Sequence, residues 1–276
     1  MNEVIPETNE HSDAFINEYS RMSDLGLYKG KTGLAIYLFH LSRHHGNKEY
    51  EELASHLIDD IVSHISSVLN FNYGNGLSGI GSGISYLIQN QFIEGDEDEI
   101  FFELDQYIFN CLYMLEHTDF CLSTGVIGIG HYYLNRINSL TSSSENINTI
   151  EAKMRLLHIL DILLAQFGIN GYTYTETKKL SGRELVDIEY FLLCIISNKL
   201  CNELSYKILR EIRQLLDRKK LNHLDRIKRV YSGKNDYLLN CGLKNLLKNG
   251  KSDAILQELA RLSLINPSLP FWWTIF

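Results

Sequence analysis

Three glycine-punctuated stretches of similar wording recur along the chain: Gly26-Leu-Tyr-Lys-Gly-Lys-Thr-Gly-Leu-Ala-Ile-Tyr-Leu38, Gly76-Leu-Ser-Gly-Ile-Gly-Ser-Gly-Ile-Ser-Tyr-Leu87 and Gly125-Val-Ile-Gly-Ile-Gly-His-Tyr-Tyr-Leu134. With Gly33, Gly83 and Gly130 in register, the spacings are 50 and 47 residues. A period of that length marks a repeat architecture in which each copy is one supersecondary unit. In every copy a glycine pair opens an apolar run whose aromatic residues are spaced like a helix face, so each reads as a tight turn feeding a helix.

Helices of a second kind lie between the turns. From Glu49 to Leu69, the residues Leu53, Leu57, Ile61, Ile65 and Val68 form one apolar stripe, the mark of an amphipathic outer helix. Similar stripes run through Ile100, Leu104, Ile108, Cys111 and Leu115, through Leu156, Leu160, Leu163 and Phe167, and through Leu204, Ile208, Ile212 and Leu215. Two later segments, Asp187 to Leu193 and Cys241 to Leu247, fall near the phase of a fourth and fifth inner helix. The three prolines, Pro6, Pro267 and Pro270, sit near the termini, and nothing in the middle forbids helix after helix. The expectation is an all-α chain of about five helical hairpins in one domain over 1–276, with its most flexible connection between Leu140 and Asn148.

A formal net charge of −8 and scattered lysines and arginines argue against a nucleic-acid surface. No apolar stretch reaches the roughly 20 residues of a membrane span, and the polar opening Met1 to Asp13 lacks signal-peptide order, so a cytoplasmic location is expected. The five cysteines, Cys111, Cys121, Cys194, Cys201 and Cys241, are odd in number and irregularly spaced, which suits reduced thiols.

Glycine is suited to a turn entering a crowded inner ring, because positive φ angles and close backbone approach cost it little. Such turns would gather helix N-termini, with their N–H groups, at one end of the assembly and make a binding face. The plainer alternative is that the glycines only pack the helix starts.

The paired glycine openings, with Asn75-Gly-Leu-Ser-Gly-Ile-Gly81 as the clearest, resemble the lanthionine synthetase C-like family. The likeness is best over residues 20–140, which include Leu104-Asp105 and Gly125 to Arg136, and weaker over 150–276, where Asn240-Cys-Gly-Leu243 carries it. The resemblance implies an α/α toroid, an inner ring of helices wrapped by an outer one; the family has seven hairpins where this chain supplies about five. It also implies a role in lanthipeptide-type maturation, with a precursor peptide and other maturation proteins as partners. The peptide would meet the turn glycines Gly30, Gly33, Gly76, Gly79, Gly83, Gly125 and Gly128. Family cyclases hold zinc with two cysteines and a histidine, and the metal activates a substrate cysteine that adds to a dehydrated serine or threonine.

At that point the sequence departs from the family. The Trp-Cys-Tyr-Gly and Cys-His-Gly motifs are absent, and Cys241-Gly242 is the nearest remnant. Thr124 stands where an inner-helix turn of the family places its catalytic histidine. A replacement metal set of His117, Cys121 and His131 is compatible with spacing; so is a reading in which His117 ends an outer helix, Cys121 is buried and His131 faces the inner ring. Cys194 and Cys201 read as core positions, and His44 and His45 as the end of an inner helix. The acidic run Glu94 to Glu99 reads as a solvated loop that charges the next helix start, or as a contact for a basic leader. The stretch Gly171 to Glu176 reads as a cover over the core, and the apolar ending Pro270 to Phe276 as a docking segment. Two functions follow: a thioether-forming cyclase, here degenerate, or a non-catalytic peptide-binding scaffold on the same toroid.

Overall fold

The computed structural model describes residues 23–28, 30–114, 119–139, 147–169 and 179–218. His117, Cys241, the 171–176 and 270–276 segments and the expected fifth inner helix lie outside them. The described residues form α1 (Lys31–His45), α2 (Lys48–His64) with a 3-10 turn at Ile65–Ser67, α3 (Leu77–Gln89), α4 (Glu97–Met114), α5 (Val126–Ser139), α6 (Ile147–Gln166), α7 (Gly182–Ser197) and α8 (Asn202–Arg218). The four amphipathic stripes fall on α2, α4, α6 and α8, with Ile65, Val68 and Phe167 just past their helix ends and Leu115 outside the described residues, and the glycine-led runs fall on α1, α3 and α5.

The odd-numbered helices pack on one another in succession, and each pairs with the even-numbered helix that follows it. That is an inner row of four wrapped by an outer row of four, the arrangement of an α/α toroid. Burial follows the same division. Every residue of α3 from Leu77 to Leu87 and of α5 from Val126 to Leu134 is buried, whereas α2 buries only Ala54, Leu57 and Ile61. A helix covered on all sides belongs to the interior, and one with a single covered stripe belongs to the surface.

Helix α3 contains Gly79, Gly81 and Gly83, a composition that forms helix poorly in isolation, so tertiary packing holds it. Two of these glycines set the spacing of the inner row. A Cβ on Gly83 would come within 2.3 Å of Thr32 Cγ2 on α1, and one on Gly81 within 2.7 Å of the Tyr132 ring on α5. Gly130 has the same role between the next pair of inner helices, where a Cβ would meet the Phe191 ring of α7 at 2.5 Å. Thus Gly83 and Gly130 are helix-contact glycines well inside their helices, while Gly33 stands in the first turn of α1, and the 50- and 47-residue register sets unlike positions against one another. The structural equivalents are Gly30, Gly76 and Gly125 at the helix starts and Gly33, Gly79 and Gly128 three residues on, at spacings of 46 and 49.

The acidic run is more than a solvated loop. Asp96 accepts from Asp98 N–H at 2.9 Å, and α4 begins with Glu97, Asp98 and Glu99. Glu97 and Asp98 then reach across to the buried guanidinium of Arg136 on α5, at 3.1 and 3.3 Å, where Asp105 also binds it at 3.3 Å. Arg136 lies over the Phe101 ring, and Tyr132 donates to Asp105 at 2.7 Å. Outer helix α4 is pinned to inner helix α5 through this network.

Helix α1 ends at His45, as expected, with Gly46 at φ +67 donating to Ser42 O at 2.7 Å. Cys194 and Cys201 are both half-buried against the core.

Candidate functional site

The loops before α1, α3 and α5 are built alike, from a residue that the glycine pattern leaves out. Six positions before each helix-start glycine stands an Asx residue: Asp24, Asn70 and Asp119. Its side-chain oxygen accepts the N–H two residues on, at 2.7 Å from Gly26, 2.9 Å from Asn72 and 2.8 Å from Cys121. These are Asx turns. Its carbonyl then accepts the first helical N–H: Lys31 N to Asp24 O, Leu77 N to Asn70 O and Val126 N to Asp119 O, all at 2.8 to 2.9 Å. Each loop therefore curls over its own helix start and satisfies donors that a helix N-terminus leaves free.

This changes the expected role of the glycines. Gly30 and Gly76 have φ of −121 and −130, extended values open to any residue. They are required by contact: a Cβ on Gly30 would lie 2.3 Å from Gly26 N, on Gly76 2.3 Å from Asn70 O, on Gly79 1.8 Å from Tyr73 O, on Gly125 2.2 Å from Asp119 O and on Gly128 2.3 Å from Leu122 O. The first helical N–H groups face the chain's own loop rather than an open mouth.

The loops are also joined to one another. Tyr28 N–H donates to Gly74 O at 2.8 Å and Gly74 N–H to Ser123 O at 2.9 Å, each two residues before its helix-start glycine. The third loop passes the connection to α7 through side chains: Leu122 N–H donates to Asp187 Oδ2 at 2.9 Å and Phe120 N–H to Glu184 Oε1 at 3.3 Å. The fourth copy replaces the glycine pair with a capping box, in which Glu184 N–H donates to Ser181 Oγ at 3.2 Å and Ser181 N–H to Glu184 Oε2 at 2.8 Å. Four inner-helix starts thus form one tied edge, with an acidic end around Cys121.

Of the proposed metal residues, His117 and Cys241 lie outside the described residues. His131 is fully buried; its ring stacks on Tyr190 at 5.3 Å between centroids and touches Phe191 and Tyr73. Burial pulls its pKa down to about 3, so it is neutral. Cys121 is half-buried beside Asp119 and Glu184, with one ligand atom from each within 4.8 Å of the others. His131 is not in that group. Burial, then the charges of Asp119, Asp187 and Glu184, push the Cys121 thiol up to about 11. Burial likewise raises Asp187, against the Leu122 N–H and Arg183.

Two thiolates and an imidazole are what the implied zinc chemistry needs, and this group does not fit. Its cysteine holds its proton, and its carboxylates already accept from Cys121 N, Thr124 Oγ1, Phe120 N and Ser181 N. The sequence reading missed Asp119, Glu184 and Asp187. The legible signals were the Asx six residues before each glycine and the Ser-x-x-Glu at Ser181.

With this geometry in place, comparison with known proteins becomes specific. The family model for lanthionine synthetase C-like protein matches residues 21–181. The chain belongs to the lanthionine synthetase C-like family. A solved structure of nisin cyclase aligns with a TM-score of 0.54 at 19% identity, covering 75% of this chain and 56% of nisin cyclase. At that identity the likeness is one of fold, and this lanthionine synthetase C-like chain spans little more than half of nisin cyclase's length. No match to a curated protein was found. No helix among the described residues is long and apolar enough to cross a membrane.

Proposed function

We propose that this lanthionine synthetase C-like protein acts in the maturation of a ribosomally made, lanthipeptide-type precursor, and that it holds the peptide against the edge where its inner helices begin. One observation carries this reading: the four inner-helix starts are tied loop to loop by main-chain and carboxylate hydrogen bonds into one preorganised edge. A rigid surface of that kind lowers the ordering cost of binding an extended chain. Nothing catalytic is required for it, and the Asp119, Cys121, Glu184 group favours holding over zinc chemistry. The cyclase reading rests on Cys241 and His117 and on the family's precedent of adding a cysteine thiol to a dehydroamino acid.

The test is co-production with a dehydrated lanthipeptide-type precursor peptide, followed by thiol alkylation and mass spectrometry of the peptide. Loss of alkylatable thiols, with zinc bound to the protein and removed by Cys241→Ser, establishes a cyclase. Co-purification of a peptide that keeps its thiols, with no zinc in the protein, establishes a scaffold. A peptide that is neither retained nor changed refutes the maturation role.

A further inference from the structure

A groove of about 530 Å³ opens at the rim of this same edge, where the start of inner helix α1 meets the end of outer helix α2. Its walls include Asp24, Lys31, Asp60, Ser67, Val68 and Asn75. The volume is in the range of ligand-binding clefts, roughly 300–1,000 Å³. Three of these residues, Asp24, Lys31 and Asn75, belong to the loop-and-helix starts that make the tied edge, so the groove continues it outward.

Charge decides what fits. Lys31 Nζ is held by Asp60 Oδ2 at 2.5 Å, and Asp60 also faces His64 Nδ1 at 3.4 Å. Asp24 spends one oxygen on Gly26 N–H and has no lysine or arginine of its own among the described lining residues. The carbonyl end of α2, with its negative dipole, closes the outer side. With a net charge of −8 on the whole chain, approach of a cation is favoured over approach of an anion. We infer that this groove seats a basic segment of an extended peptide, with a lysine or arginine of the ligand at Asp24 and its neighbouring residues along Ser67, Val68 and Asn75. The inference rests on the peptide-holding reading and assigns it a place.

The test uses the full chain and a fluorescein-labelled heptapeptide alternating lysine and serine, with a glutamate-for-lysine peptide as control, read by anisotropy at low salt. Asp24→Asn removes the charge and keeps the turn, because Asn70 makes the same turn in the next loop. Ser67→Trp fills the groove, and Thr124→Trp places equal bulk on the third loop. Expected are binding of the lysine peptide only, a loss of about three- to fivefold in Asp24→Asn, about tenfold or more in Ser67→Trp, and little change in Thr124→Trp. Equal binding of the two peptides, or unchanged binding in Ser67→Trp, overturns the groove assignment. Loss in Thr124→Trp alone moves the peptide along the edge and leaves the maturation reading standing. If neither peptide binds, the groove assignment falls, and precursor co-production still decides the wider reading independently.

Discussion

Replacing Arg136 with methionine removes the cation that three carboxylates share while keeping much of the aliphatic stem packed over Phe101. Asp98, with its side chain 29% exposed, can rehydrate, but the Glu97 and Asp105 side chains are only 10% and 12% exposed and would keep one close donor each, Ser85 and Tyr132. Taking one partner from a buried ion pair costs about 3–5 kcal/mol; with two of the three acids buried and one near solvent, about 4 kcal/mol is expected at pH 8. Against a domain stability of about 5–15 kcal/mol, the variant should still fold. The pH dependence separates charge from packing. Burial raises Asp105, opposed by Arg136, the Tyr132 hydroxyl and Arg155; without Arg136 the carboxyl rises further. A folded-state pKa above the unfolded one means that the native protein takes up the proton first, so the variant regains stability as pH falls through that raised value, about 1.4 kcal/mol per unit. Urea unfolding of both proteins at pH 8, 7, 6 and 5 should therefore show a gap that narrows toward acid. Contributions from His40 and His131 are common to both and cancel. A gap of the same size at pH 8 and pH 5 would refute the electrostatic account and leave stacking on Phe101 as the source.

The glycines separate by contact. Gly79→Ala, whose Cβ would meet Tyr73 O at 1.8 Å, should cost more than about 3 kcal/mol, whereas Gly46→Ala, at φ +67 with open space around it, should cost about 1 kcal/mol; thermal unfolding ranks them. His40 is held down to about 4 by burial and by Arg43, and His131 to about 3 by burial, so the unfolded chain binds protons that the native one refuses below pH 6.5. Stability should fall from pH 6.5 toward pH 4 by about 2 kcal/mol per histidine at pH 5, and His40→Gln should flatten the slope. Cys121, its thiol near 11, should be alkylated by iodoacetamide at pH 7.5 far more slowly than in the urea-unfolded chain, as peptide mapping reads; fast labelling in the native protein would mean a thiolate and reopen metal binding at this position.

Much of the architecture was legible because it is periodic. Three-or-four spacing placed Leu57 and Ile61 on a covered face, Ile208 and Ile212 likewise, and the absence of internal proline allowed the helices to run on. The register was harder, since glycine answers two separate demands here with the same letter. At Gly79 and Gly128 it yields to the loop that curls back; at Gly81, Gly83 and Gly130 it yields to a neighbouring helix. Only the Asx residues Asp24, Asn70 and Asp119 distinguish them, and six residues is a spacing that neither helix nor strand periodicity brings out. The Arg136 network was illegible for another reason: its carboxylates stand 31 to 39 residues away in the chain and share no local pattern.

The fourth copy explains why the candidate site lies where it does. The first three copies end their loops on a neutral glycine pair, and main-chain hydrogen bonds join the first loop to the second and the second to the third. The fourth has Ser181 and Glu184 in those places, so the third loop meets carboxylates, Glu184 and Asp187, instead of a carbonyl. Negative charge accumulates there around Cys121, raising its thiol, while at the other end of the edge Asp24 stands beside an open groove. One repeat, varied at two positions, leaves the edge with a closed acidic end whose groups are bonded to the protein itself, and at the other end an aspartate, Asp24, in the wall of an open groove. A basic peptide laid along the edge would therefore be gripped at the first loop rather than the third, which is the asymmetry that Ser67→Trp and Thr124→Trp are chosen to expose.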